Sequence, residues 1–124
     1  MANSDNVLRA GLTPKHIDIP EIASCTLFEE KPAATLLLEP QEQQGALYFP
    51  VPVSDFKFSL YPTAANTAVE VTSAEIIFAI DHSVTLHHDN GTQLSIEKGQ
   101  SVFIPACTGG YSLSSEGRVA RVYN

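Results

Sequence analysis

Residues 1–20 hold two of the seven cations of this chain, Arg9 and Lys15. A guanidinium offers a planar fork of donors and an ammonium a compact point charge, and together they could clamp a phosphate or a developing oxyanion. Two cations this close could equally form an ordinary surface pair, and spacing alone leaves both readings open. The four histidines, His16, His82, His87 and His88, contain no H-x-H or H-x-x-x-H spacing. His87 and His88 are adjacent on an expected strand, where successive side chains point to opposite faces, so they cannot close on one ion together. All four read as solvated surface histidines. Asp81-His82-Ser83 has the composition of a catalytic triad but lacks a nucleophile elbow such as G-x-S-x-G. Cys25 and Cys107 have no C-x-x-C partner and are expected as buried free thiols of a cytoplasmic protein. The pair Glu29-Glu30 reads as a solvated loop.

Charge narrows the partners. Seven Lys plus Arg stand against 14 Asp plus Glu, a formal net charge of -7. Nucleic acid and anionic lipid need clustered cations, so neither is an expected partner. The longest unbroken apolar run, Ile76 to Ile80, is far short of the roughly 20 residues of a membrane helix. Met1 to Asp5 carry neither a positive region nor an apolar stretch, so no signal peptide is expected. The 124 residues are the length of one ordinary domain, and 44% hydrophobic content suffices for a core.

The elements that must hold these residues are mostly strands. Asn6 to Arg9 predicts a short strand ended by Gly11 and Pro14. Ile19 to Ser24 predicts a short helix capped by Asp18, with Pro20 early, where a missing N–H is harmless. Residues 26–54 are broken by Lys31-Pro32, Glu39-Pro40 and the polar run Gln41 to Gly45, which reads as loop. From about residue 46 the pattern is β. Phe56, Phe58 and Leu60 alternate with polar neighbours, a period of two that sets the apolar residues on one face. Val69 with Val71 and the run Ile76 to Ile80 predict further strands, the second buried on both faces. Asn90-Gly91 lies between two alternating runs, the pair that a two-residue type I′ hairpin prefers. Lys98-Gly99 turns the chain into Ser101 to Ile104, closed by Pro105. Tyr111 to Leu113 and Arg118 to Tyr123 end the set. Tyr111, Tyr123, Phe56 and Phe58 read as core rather than as a sugar-stacking platform. Seven or eight short strands and one helix predict an all-β sandwich or barrel.

The run Met1 to Lys15 closely resembles the second signature segment of the zinc-dependent type I mannose-6-phosphate isomerases. Asp18-Ile19-Pro20-Glu21, Pro50 to Val53 with Phe56-Lys57-Phe58, Gly99 to Pro105 and Gly117 to Asn124 resemble the C-terminal domain of that family. The resemblance covers essentially the whole chain and implies a cupin-like jelly roll with one short N-terminal helix. It divides the chain into residues 1–20, a remnant of the catalytic signature segment, and residues 21–124, the cupin-like β domain. That family interconverts mannose 6-phosphate and fructose 6-phosphate with one zinc held by Gln, Glu and His side chains. The resemblance makes Arg9 a catalytic residue and Lys15 a substrate-binding residue at the phosphate. The zinc ligands of the family precede the position that matches Met1.

This chain alone is therefore expected to hold no metal and to be no enzyme. The expected partners are a zinc-binding catalytic half or a second copy, drawn together by strand edges. Binding of a sugar phosphate is a weaker expectation, and residues 1–15 are expected to be mobile or paired with another copy. The alternative is a stand-alone cupin-type module that binds a sugar phosphate or docks on a partner.

Overall fold

A computed structural model describes residues 7–124 of the protein. The chain divides into two compact units, one reaching to Leu37 and one running from Leu38 to Asn124. Each is described by itself.

In the first unit the α-helix α1 (Ile19–Cys25) begins where the cap residue predicts. The Asp18 carboxylate accepts from the Glu21 amide at 3.1 Å, satisfying one of the donors that a helix start leaves orphaned. Pro20 occupies the first turn, and the Thr26 amide donates to Ile22 O to close the helix. The expected strand at Asn6 to Arg9 does not form over Val7 to Arg9; Asn6 lies outside the described residues. A lone strand has no ladder to satisfy its amides, and none of the described residues before Gln41 supplies one. No residue from 7 to 37 is buried, and Leu12, Ile19, Leu27, Phe28, Leu36 and Leu37 are exposed.

The second unit holds ten strands: β1 (Gln41–Gln43), β2 (Ala46–Phe49), β3 (Lys57–Tyr61), β4 (Ala64–Glu70), β5 (Glu75–Ala79), β6 (Val84–His88), β7 (Gln93–Ile96), β8 (Ser101–Ile104), β9 (Gly110–Ser115) and β10 (Val119–Tyr123). They form a six-stranded sheet, β1-β2-β3-β10-β5-β8, and a four-stranded sheet, β4-β9-β6-β7. Every pairing is antiparallel. Ile77, Val84, Leu113 and Val119 are fully enclosed at the centre of the core. Among the described residues no helix is long and apolar enough to cross a membrane.

Two turns depart from expectation in an instructive way. The hairpin at Asn90-Gly91 exists, but His88 and Thr92 flank a three-residue loop. The Gly91 amide donates to His88 O at 2.9 Å and the His88 amide to Thr92 O at 2.9 Å. Only Gly91 enters the left-handed region, with φ at +87°. This is a turn followed by a bulged glycine. Asn90 is held by its own side chain, whose Oδ1 accepts from the Thr92 amide at 2.9 Å. The two-residue loop with positive φ at both centres, which type I′ demands, lies instead at Gln44 (φ 51°) and Gly45 (φ 78°) between β1 and β2. That stretch reads as loop from its polarity, which hides a strand whose residues are all exposed.

β5 also differs from its reading as doubly buried. Its burial alternates strictly, with Glu75, Ile77 and Ala79 inside and Ile76 and Phe78 outside. The cysteines are free, but both are exposed rather than buried.

Candidate functional site

Arg9 and Lys15 both lie in the first unit. Arg9 is half-exposed, and its guanidinium donates to Val7 O at 3.4 Å. Lys15 is exposed, and its backbone amide donates to Thr13 Oγ1 at 3.2 Å. Among the described residues the ion pairs are Arg118 with Asp81 and Arg121 with Glu75, and neither includes Arg9 or Lys15.

Among the described residues no three His, Cys, Asp or Glu side chains come together in a group that could hold a metal ion. His88 is engaged otherwise, its Nε2 lying 2.8 Å from Thr108 O and its Nδ1 3.1 Å from the Asn90 amide. The Thr108 carbonyl raises its pKa above the ordinary histidine value. His88 is thus a half-buried turn residue rather than a solvated one, while His87 on the opposite face is exposed. Asp81, in the triad-like tripeptide, is held by Arg118 through Nε at 2.7 Å and a second guanidinium nitrogen at 2.9 Å.

The polar centre that sequence reading missed lies inside the sandwich. Glu75 on β5 is 2% exposed, and Arg121 on β10 reaches its Oε2 from two guanidinium nitrogens at 2.9 Å and 2.6 Å. Tyr111 on β9 donates to the other carboxylate oxygen, and Arg121 also donates to Glu70 O at 3.0 Å. The guanidinium lies 4.3 Å from the Tyr123 ring centroid, an added cation–π contact. Burial opposes the Arg121 charge, yet the Glu75 carboxylate outweighs it and the guanidinium pKa is raised. Burial, with Glu75 second, also pushes the Tyr111 phenol up, which keeps it a donor. Ser59, Tyr61, Tyr48 and Gln43 line a polar cavity of about 90 Å³ beside Arg121. An arginine and a glutamate facing inward from two apolar strands were the available signal, but only the pairing of β5 with β10 unites them. Arg121 and Glu75 thus match each other's charge across the pairing of β5 with β10.

Two antiparallel sheets closed over a common core make this a cupin-type jelly roll. Residues 46–124 match the family model described as the cupin domain of mannose-6-phosphate isomerase. The whole chain is 48% identical over 125 residues to mannose-6-phosphate isomerase of Escherichia coli (strain K12), covering 32% of that protein. It is 32% identical over 114 residues to the Homo sapiens enzyme, covering 89% of this chain and 26% of that one. Among solved structures, mannose 6-phosphate isomerase from Salmonella typhimurium, bound to fructose 6-phosphate and zinc, superposes with a TM-score of 0.84 at 48% identity. That match covers 100% of this chain and 32% of the other. The chain belongs to the mannose-6-phosphate isomerase family, as its cupin domain with the segment that leads into it. It spans about a third of the length of the bacterial relatives it matches.

Proposed function

We propose that the chain is the non-catalytic cupin third of a mannose-6-phosphate isomerase and that it lends Arg9 and Lys15 to an active site completed by residues outside it. Aldose–ketose isomerisation moves a proton between adjacent carbons through an enediolate, and a fixed guanidinium stabilises the charge that develops on oxygen. Arg9 has that role, and Lys15 holds the phosphate, whose binding energy orients the sugar. The free thiols fit a cytoplasmic setting. The observation that carries the reading is the identity of 48% along the entire chain to the E. coli isomerase. In this reading the zinc ligands lie in the part of the enzyme that precedes the matched segment, and turnover needs that part.

Two assays test this. Purified chain with added zinc is expected to leave mannose 6-phosphate unconverted, and measurable turnover would overturn the proposal. In a chimera that replaces the matched third of the E. coli isomerase with this chain, Arg9→Ala is expected to lower kcat by about 10²–10³. Lys15→Ala is expected to act mainly on KM. A chimera indifferent to Arg9→Ala would remove the assigned role. Saturable binding of mannose 6-phosphate by the chain alone, abolished by Arg9→Ala, would favour a stand-alone binding module instead.

A further inference from the structure

The face that an antiparallel sheet turns to its core ordinarily carries apolar side chains. One row of the six-stranded sheet breaks this rule. Strand pairing sets Tyr48 on β2, Ser59 on β3 and Arg121 on β10 side by side, and the row runs on into the fully buried Ile77 of β5. Tyr61 lies two residues from Ser59 and Tyr123 two residues from Arg121, so both share this inner face. These five side chains, with Gln43, surround the polar cavity of about 90 Å³. Ser59 and Tyr61 are 5% and 6% exposed, so their hydroxyls are interior groups that require partners. Arg121 commits Nε and Nη2 to Glu75 and the Glu70 carbonyl, and Nη1 takes no part in those bonds. Ser59 Oγ and Tyr123 Oη meet at 3.3 Å, which is long for a bond between two hydroxyls. Burial raises the Tyr61 pKa, so its phenol keeps a proton to give.

We infer that this cavity is a binding site for a neutral vicinal diol, as presented by a small polyol or by the open end of a longer sugar alcohol. The ligand has to be polar, because an apolar group would strip water from Nη1 and the surrounding hydroxyls and return nothing. It has to be neutral. Glu75 already matches the Arg121 charge, so an anion finds no spare cation, and a cation would face the guanidinium. Adjacent hydroxyls suit the lining because each can both accept and donate: they accept from Nη1 and a phenol, and donate to a serine or tyrosine oxygen. The tyrosine rings offer an apolar wall to the carbons between those hydroxyls. Size sets the length. At roughly 30 Å³ per water the space equals about three waters, which suits two or three carbons with their hydroxyls rather than a closed hexose ring. The site draws on no residue of the first unit, so it stands or falls independently of the roles given to Arg9 and Lys15.

The test is an NMR titration of the full chain with glycerol, with mannitol and with 1,3-propanediol, which lacks adjacent hydroxyls. Glycerol is expected to shift the Ser59 and Tyr61 amide signals and the Arg121 Nε signal saturably, with a Kd of about 1–10 mM. 1,3-Propanediol should bind at least about fivefold more weakly. Mannitol binding as tightly as glycerol assigns the site to the end of a longer sugar alcohol; saturation by glycerol alone assigns it to a free three-carbon polyol. Ser59→Val removes one hydroxyl and fills part of the cavity, and is expected to weaken glycerol at least about tenfold. Tyr48→Phe, a milder change at the same row, should weaken it about threefold, and it carries the test if the valine variant fails to fold. Gln93→Ala on the other sheet should leave the affinity unchanged. Shifts that grow linearly without saturating would mean that the cavity holds solvent only and would overturn the inference. Equal affinity for glycerol and 1,3-propanediol would overturn it as well, and so would a Tyr48→Phe chain that binds glycerol as the wild type does.

Discussion

Arg118 immediately precedes β10 and Arg121 lies on it, and each is paired with a carboxylate from β5 or the loop that follows β5. Their surroundings make them different objects. Arg121 and Glu75 have side chains 12% and 0% exposed, and share their contact with Tyr111 and the Glu70 carbonyl. Arg118 and Asp81 have side chains 56% and 34% exposed and meet at the rim. In the interior the attraction is strong but both charges have lost water; at the rim they keep it, and salt screens what remains. The lesson is that one kind of ion pair fixes strand pairing in the first case and trims a surface loop in the second.

The largest expected effect comes from breaking the interior pair on one side. Arg121→Ala leaves the Glu75 carboxylate buried with Tyr111 as its remaining side-chain donor, and is expected to cost about 3–5 kcal/mol in chemical denaturation. The triple variant Glu75→Leu, Arg121→Met, Tyr111→Phe, which removes every member of the network, is expected to recover most of that loss. If the single variant proves as mild as an exposed-pair variant, the contrast between interior and rim fails.

Next in size is a change that reaches the rim pair through packing. A Cβ at Gly117 would sit 2.6 Å from His82 Cδ2 and 2.9 Å from Asp81 Cβ. Gly117→Ala therefore has to displace the loop that presents Asp81 to Arg118, at about 1–3 kcal/mol. Thermal melts of Gly117→Ala, Arg118→Ala and the double variant check the route. The effects should be less than additive, because the first substitution already spoils the pair.

The same contrast marks what could be read from residues alone. Local devices were legible: Asp18 three residues before Glu21 announces a helix start, and Asn90-Gly91 announces a hairpin. The type of that hairpin was not, because Asn90 spends its side chain on Thr92 and leaves the positive φ to Gly91 alone. Alternation in Phe56 to Leu60 marked a strand, now β3, whereas Ile76 to Ile80 looked doubly buried because its outward residues are apolar too. The Glu75–Arg121 contact spans 46 residues and exists only once β10 has entered between β3 and β5, so no local pattern announces it. Arg9 and Lys15 were picked out by resemblance, and their positions in the first unit carry no geometry of catalysis by themselves.

The smallest expected effect is also the one whose sign is fixed by titration. The Arg118 side-chain hydrogen bond, aided by the Arg118 backbone amide, lowers the Asp81 pKa from 3.8 to about 2. A carboxyl that is more acidic folded than unfolded stabilises the fold while ionised. Its contribution is thus complete above the unfolded value and fades as pH falls through the window down to about 2. Comparing Tm of the wild-type chain with that of Arg118→Ala across this range isolates the term. The difference should be modest and flat from neutral pH down to about 4, shrink as the medium approaches pH 2, and weaken in molar salt. A difference that grows on acidification, or ignores salt, would mean that Arg118 acts through packing rather than through Asp81, and the rim pair would then differ from the interior one in kind as well as in degree.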